Sequence, residues 1–303
     1  MANLKEVKAR ITSVTSTQQI TKAMKMVAAA KLRKAQDRIL QMRPFSRKLT
    51  GIMQNVASSV DTDTIENPYA EVRDVNKVLL IVVSSDRGLC GAFNSNIFKY
   101  TRALIESEFK DIHDRGDLTI MPIGKRSNDY FSKRGYDVIN DYFHLMHELD
   151  FDHAMDAAKH VMDDFVAEKY DRVHIIYNEF KNVATQVLQL EQFLPISPQT
   201  GEEGTEVESS AYGADIDYIY EPSQEFIFKE IIPKSLKIQF YKCLLESNAA
   251  EHGARMTAMD QATDNAAELL KELKLTYNRT RQAAITKEIL EIVGGAEALA
   301  KGG

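Results

Sequence analysis

The first sixty residues carry a repeating apolar pattern that is typical of a long helix packed against another helix. Residues 3–42 contain neither glycine nor proline, and apolar side chains recur at alternating spacings of three and four. The pattern predicts one helix from residue 3 to residue 59, with Pro44 tolerated as a kink. The heptad positions, called the seam below, are Leu4, Ile11, Gln18, Lys25, Leu32 and Ile39, and Val7, Val14, Thr21, Ala28, Ala35 and Met42.

Three polar residues interrupt this seam within a short stretch. They are Gln18, Thr21 and Lys25. At the same level, Ile20, Met24 and Val27 carry the apolar stripe onto a neighbouring face of the helix. Two interpretations remain open. Either the helix contacts a second partner there, or the polar residues form a layer that fixes the register of the helix pair.

The middle of the chain predicts alternating strands and helices. Residues 77–84 form an apolar run that is typical of a strand buried on both faces. The alternation favours a mostly parallel sheet covered by helices, which is a Rossmann-like α/β domain. The predicted strands are 77–84, 118–123, 136–143, 172–177 and 185–193, and the predicted helices are 94–109, 124–134 and 152–169.

A second long helix is predicted at the C-terminal end. It begins near Pro222, falters near Pro233 and reaches about Leu299. Helices of this length cannot be buried in a domain of this size, so the two must pair and project. Its seam is Met256, Met259, Thr263, Ala266, Leu270, Leu273, Tyr277, Thr280 and Ala284.

The economical architecture is an antiparallel coiled coil of the two terminal helices, with the α/β domain inserted between them. In this arrangement the C-terminal tip extends beyond its partner helix. The predicted regions are an N-terminal helix (1–59), the α/β domain (74–196), an acidic linker (197–215) and a C-terminal helix (216–303).

Composition limits the classes of protein to be considered. The 303 residues are 44% hydrophobic, which is typical of a folded globular chain. The longest aliphatic run, 78–83, is far shorter than the roughly 20 residues of a membrane-spanning helix. Cys90 and Cys243 lie far apart, as expected of free thiols in a reducing compartment. The start lacks a secretory or transit pattern, so we expect a cytosolic, bacterial location.

Positive charge is concentrated at the N-terminal end. Residues 1–50 hold twelve Lys or Arg and two acidic residues, a net charge of +10, which leaves −16 for the rest of the chain. Such a basic end indicates a partner with a negative surface, namely nucleic acid, anionic lipid or an acidic protein face, unless it is a solvated helix face. Phe45 is the only aromatic residue in this region. That weakens the nucleic-acid alternative, because single-strand binders interleave aromatic and basic side chains.

Segments that resemble enzyme motifs are incomplete. Gly124-Lys125 lacks the first glycine and the Ser/Thr of a phosphate-binding loop, and Gly88-Leu-Cys-Gly91 lacks the GxGxxG pattern. The second segment is more simply a tight turn between a strand and a helix. We therefore expect no catalytic residue, metal or cofactor, and a nucleotide-using enzyme is the weaker alternative. Another group of possible metal ligands lacks the spacing of a zinc-binding helix, and we interpret it as a polar loop. Its residues are His144, His147, Glu148, Asp150, Asp152 and His153.

Five segments carry a resemblance to a known family. The sequence ITKEILEIVGGAEA at 285–298 resembles the C-terminal motif of the γ subunits of F-type ATP synthases. The sequence ITKAMKMVAA at 20–29 is similar to the other hallmark of that family. Similar segments in the same order are SDRGLCG at 85–91, RMTAM at 255–259 and ATDN at 262–265. The resemblance, to the bacterial type, covers essentially the whole chain.

The resemblance implies a non-catalytic rotor subunit. The terminal helices would form the central shaft inside a ring of α and β subunits, with the α/β domain near the ε subunit and the membrane-embedded c-ring. Proton-driven rotation of the c-ring would then be coupled to ATP synthesis or hydrolysis at the β subunits. The chain would be peripheral on the cytoplasmic face of the bacterial inner membrane, with no membrane span, cofactor or nucleic acid. The residues implied to contact β subunits are Met24, Lys25, Arg255, Arg281, Gln282 and Thr286.

Overall fold

Two compact units make up the chain. The structure, a computed structural model, describes residues 4–59, 67–196 and 224–301. One unit, called the helical unit below, combines Met1–Ala29 with Arg255–Gly303. The other, called the α/β unit, comprises Ala30–Ala254. The predicted linker 197–215 lies outside the described residues.

Two long helices run through both units. Helix α1 spans Leu4–Ser59 with Pro44 inside it, as predicted. Helix α6 spans Gln224–Lys301, with Pro233 inside it. The prediction that the second helix falters near Pro233 is wrong, because the helix continues through that residue. A proline removes one N–H and crowds the preceding turn, which a helix accommodates as a kink rather than a break.

A five-stranded sheet forms the centre of the α/β unit. Its order is β3-β2-β1-β4-β5, with parallel pairs throughout except for the antiparallel pair β4–β5. The predicted mostly parallel sheet is confirmed. The connection from β4 to β5 is too short for a crossover helix, so it returns as a hairpin. The strands are β1 (Val78–Val83), β2 (Leu118–Ile123), β3 (Asp137–Val138), β4 (Arg172–Phe180) and β5 (Gln186–Leu194).

Helices cover the sheet. Every residue of β1 is fully buried, as a central parallel strand covered on both faces must be. Ile97 and Leu104 of α2 and Phe131 of α4 pack into one core cluster with β1 and β2. The helices are α2 (Phe93–Ser107), α3 (Lys110–Arg115), α4 (Lys125–Ser132) and α5 (Phe151–Val166), with a 3₁₀ helix at Phe143–Met146.

The third predicted strand is much shorter than expected. The sequence predicted a strand over 136–143, but β3 contains only Asp137 and Val138. The segment pairs with β2 at the edge of the sheet, and the chain then turns into the 3₁₀ helix. Asp137, Asn140 and Asp141 favour turns over strands, and an edge strand has no second neighbour to hold it in place.

The α/β-unit part of α6 packs against the β4–β5 hairpin through a partly buried polar network. Glu191 accepts hydrogen bonds from the hydroxyl of Tyr177 (2.9 Å) and the amide of Gln239 (2.6 Å). The thiol of Cys243 donates to the same carboxylate over 3.5 Å. Phe193 and Phe240 pack beside this network, with ring centroids 5.8 Å apart.

Both cysteines are expected to resist thiol reagents in the native chain. Cys90 and Cys243 are buried free thiols, and burial together with the charge of Glu191 raises the pKa of Cys243 well above its ordinary value. Only the thiolate reacts, so Ellman's reagent should modify neither thiol until the chain is unfolded in guanidinium. Thr12→Cys, on the exposed face of α1, is the control and should react at once. Rapid native modification of Cys243 would contradict the packing of α6 on the hairpin.

Candidate partner-binding surface

The helical unit contains an antiparallel pair formed by the start of α1 and the end of α6. The hydroxyls of Thr21 and Thr263 lie 2.8 Å apart. One turn further along α1, the ammonium of Lys25 forms an ion pair with Asp260. Because the later residue of α1 meets the earlier residue of α6, the two helices run in opposite directions. The predicted antiparallel pairing is confirmed.

Burial follows the predicted seam. Each seam position of α1, from Leu4 to Met42, is buried or half-buried. On α6 the seam residues Met259, Ala266 and Leu270 are buried. The heptad spacing therefore identified the paired faces as far as Thr280, whereas the last predicted seam position, Ala284, is exposed.

The polar interruption of the seam is a layer between the helices. Thr21 is buried, and Gln18 and Lys25 are half-buried. The hydroxyl of Thr21 also lies 3.0 Å from the carbonyl of Gln18 in its own helix. Meanwhile Ile20 and Val27 remain 59% and 57% exposed. Both interpretations left open by the sequence are therefore compatible here: a polar layer lies inside the pair, and an apolar stripe lies outside it.

The six residues implied to contact a partner fall into two groups. Met24 and Lys25 lie on α1 at the polar layer, and Arg255 lies on α6 five residues before Asp260, or about 7 Å along the axis. The other group is Arg281, Gln282 and Thr286, at least 20 residues beyond Asp260, or roughly 30 Å. Within this group the hydroxyl of Thr286 donates to the carbonyl of Gln282 over 3.0 Å.

Residues 281–296 of α6 are exposed on all sides of the helix. Their apolar side chains are therefore presented outward rather than packed into the helix pair. Five large ones are Ile285, Ile289, Leu290, Ile292 and Val293. Contiguous exposed apolar surface of this kind usually marks an interaction site.

The glycine-containing turn after β1 is tied to the start of α4. The first three amides of α4 donate to Asp86 Oδ1 (3.0 Å), the Ser85 carbonyl (3.1 Å) and Ser84 Oγ (2.8 Å). These are the donors that a helix start would otherwise offer to a phosphate. Residues 88–91 lie in the short connection between the end of β1 and the start of α2, which is the tight turn between a strand and a helix that the sequence indicated.

Two other classes of site are absent from the part of the chain that the structure describes. Within it, no group of three or more His, Cys, Asp or Glu side chains is arranged to hold a metal ion, and this includes the cluster around His144. Over the same residues, no helix is both long and apolar enough to cross a membrane.

Comparison with known proteins is decisive for the family. A family profile described as ATP synthase matches residues 3–299. The "ATP synthase gamma chain" of Cytophaga hutchinsonii is 58% identical over 299 residues, covering 99% of both chains. The protein of the same name from Chloroherpeton thalassium is 52% identical over 302 residues, again covering 99% of both. The chain belongs to the ATP synthase γ-chain family.

Solved structures share the fold of this γ chain. A chain from the Euglena gracilis mitochondrial ATP synthase, in a structure described as OSCP/F1/c-ring, rotational state 3, has a TM-score of 0.64 at 20% identity, covering 99% of this chain and 95% of that one. A chain from the central stalk and c-ring structure of the Tetrahymena thermophila mitochondrial enzyme has a TM-score of 0.56 at 24% identity, covering 80% of this chain and 99% of that one.

Asp260 is the residue of this γ chain that the sequence pattern did not reveal. It lies beside the seam residue Met259 but is not apolar, so a heptad pattern of apolar residues does not include it. The register identifies it: once the structure sets Thr21 opposite Thr263, Lys25 contacts Asp260. The heptad patterns do not fix that register, because the α6 seam also contains the polar residues Tyr277 and Thr280.

Proposed function

We propose that the chain is the non-catalytic central-stalk rotor subunit of a bacterial F-type ATP synthase. In this role it couples proton-driven rotation of the c-ring to ATP synthesis or hydrolysis at the β subunits, and it binds no cofactor of its own. Its partners are the α and β subunits of the catalytic head, the ε subunit and the c-ring. The names of its relatives and the complexes that contain its structural neighbours support this assignment.

One observation carries the mechanical part of the proposal. The antiparallel helix pair ends in a single exposed helix whose apolar side chains face outward. A rod without rotational symmetry presents a different face to each surrounding subunit, so turning it biases each of them toward a different conformation. Apolar contacts suit the interface between such a rod and the subunits around it. Unlike hydrogen bonds, they do not depend on direction and so do not hold the rod at one angle.

We further propose that the six residues named above contact β subunits. Met24, Lys25 and Arg255 would meet an acidic loop, which suits the +10 charge of the first fifty residues. Arg281, Gln282 and Thr286 would hydrogen-bond a loop inside the head, and their exposure leaves them accessible for it. The assembly would hold the chain at the cytoplasmic face of the inner membrane as a peripheral subunit.

Native mass spectrometry of the complex purified in mild detergent tests the assignment. The expected mass corresponds to one copy of this chain with three copies each of two nucleotide-binding subunits. Recovery of the chain as a free monomer, a homodimer or a nucleic-acid adduct would contradict the rotor assignment.

Gln282→Leu is expected to lower the ATPase rate of the assembled head about fivefold, which corresponds to the loss of one hydrogen bond worth roughly 1 kcal/mol. Assembly should be unaffected, since Gln282 is exposed on its own helix. Steady-state hydrolysis by the purified complex measures the effect. Asn278→Leu, a similar change one turn earlier at another exposed position, is the control and should keep the parent rate. Equal rates for the two variants would show that Gln282 is not one of the residues that contact a β subunit.

A further inference from the structure

The two polar contacts of the helical unit lie one turn apart and join the same two helices. The Thr21–Thr263 pair is at the seam, where Thr21 is buried. The Lys25–Asp260 pair flanks it, with side-chain exposures of 39% and 48%. Both contacts connect residues that lie far apart in sequence, so each depends on the register of the two helices, meaning the axial position of one helix relative to the other.

The apolar seam by itself specifies the register of the two helices only weakly. Its buried members include Ala28, Ala266 and Met259, and small or flexible side chains repack easily when one helix slides along another. A slip of one heptad, about 10 Å, still sets the seam positions of one helix opposite seam positions of the other. It would, however, set Thr21 opposite Leu270 and Lys25 opposite Ala267. The hydroxyl pair and the ion pair would then both be lost.

We propose that Thr21, Lys25, Asp260 and Thr263 form a register lock that fixes α1 against α6, and that Asp260 is the positioning residue for the Lys25 ammonium. The ammonium carries three donors. One is directed at Asp260, so the others remain available to a carboxylate on a partner surface. This deepens and rests on the proposed rotor function, in which a rod must transmit rotation without its helices sliding past each other.

Charge reversal in the full chain tests the lock directly. Spin labels on Thr12→Cys and Asn265→Cys, both at exposed positions, report the axial offset of the helices by pulsed electron resonance, since the native cysteines are buried. Lys25→Asp and Asp260→Lys should each produce a second distance population displaced by about 10 Å. The double variant, which exchanges the two charges, should return the parent distribution. Lys22→Asp, a reversal at an exposed position of the same helix, should leave it unchanged.

ATP hydrolysis by the assembled complex containing the same variants distinguishes a register lock from a contact between Lys25 and a partner subunit alone. If the lock acts as proposed, each single reversal slows ATP hydrolysis severalfold and the exchange recovers at least half of the loss. If Lys25 serves only a partner, the exchange is as slow as Lys25→Asp and Asp260→Lys keeps the parent distance, which overturns the lock. A restored distance in a chain that fails to assemble with nucleotide-binding subunits would retain the lock and contradict the rotor function instead.

Discussion

Gly124→Ala is expected to lower the free energy of unfolding of the α/β unit by about 3–5 kcal/mol. Gly124 precedes α4 with φ near +103°, a conformation that side chains rarely adopt. A Cβ there would lie 2.2 Å from the carbonyl oxygen of Ser84. The backbone N–H of Ser84 donates to the carbonyl of Ile123 and that of Gly124 donates to the carbonyl of Phe143, so neither residue can move away without breaking hydrogen bonds.

Urea unfolding followed by the near-ultraviolet dichroism of the tyrosines measures this loss. Gly116→Ala is the matched control, because Gly116 also has a positive φ of +84° but a Cβ added there would meet no described atom within 4 Å. It should lose only about 1 kcal/mol, from backbone strain alone. If both variants lost the same free energy, the close approach of Gly124 to Ser84 would have no energetic role.

Stability is expected to fall by about 3 kcal/mol between pH 7 and pH 4 because of His174. Neither of its ring nitrogens has a hydrogen-bond partner among the described residues, and its ring packs 5.7 Å from that of Phe109. Burial, and then the charge of Arg172, lower the pKa of His174 from 6.5 to about 4. The unfolded chain therefore binds this proton below pH 6.5 and the folded chain does not until about pH 4, so stability declines as the pH falls through this window.

His174→Phe should flatten the pH dependence over the same range, since it removes the group that the unfolded state protonates. Denaturant unfolding at half-unit steps from pH 4 to pH 7 gives the two slopes. The variant His147→Phe changes an exposed histidine and keeps His174, so its slope should match the parent. Parallel curves for the parent and His174→Phe would show that the buried ring accepts its proton in the folded state.

The sequence was informative where a periodic pattern has one structural meaning. Alternating spacings of three and four placed the seam of α1, and the aliphatic run 78–83 placed the central strand of the sheet. The sequence pattern was misleading where the length of an element depends on its packing against the rest of the fold. The sequence predicts that α6 falters at Pro233, but the helix continues because the buried residues Ile232 and Leu236 hold it in place around the proline. The strand expected over 136–143 was shortened by its position at the sheet edge.

The candidate site was predictable only in part. Periodicity identified the polar interruption at Gln18, Thr21 and Lys25, but could not show that a polar layer inside the pair and an apolar stripe outside it occur together. The contacts of the layer depend on which residue of α6 lies opposite, and a pattern on one helix contains no information about register. Asp260 is 235 positions away from Lys25 along the chain, and only the folded structure brings the two into contact.

The span of the Lys25–Asp260 contact also has a consequence for biosynthesis. A ribosome makes the whole α/β unit, Ala30–Ala254, after it has added Lys25 and before it adds Asp260. The β1 and β4 strands need far less chain between them, and short loops close more easily than long ones. The sheet therefore assembles first, while the amphipathic start of α1 has no α6 helix to pair with. Until the last helix is made, that segment exposes an apolar stripe, and exposed apolar surface of this kind favours aggregation.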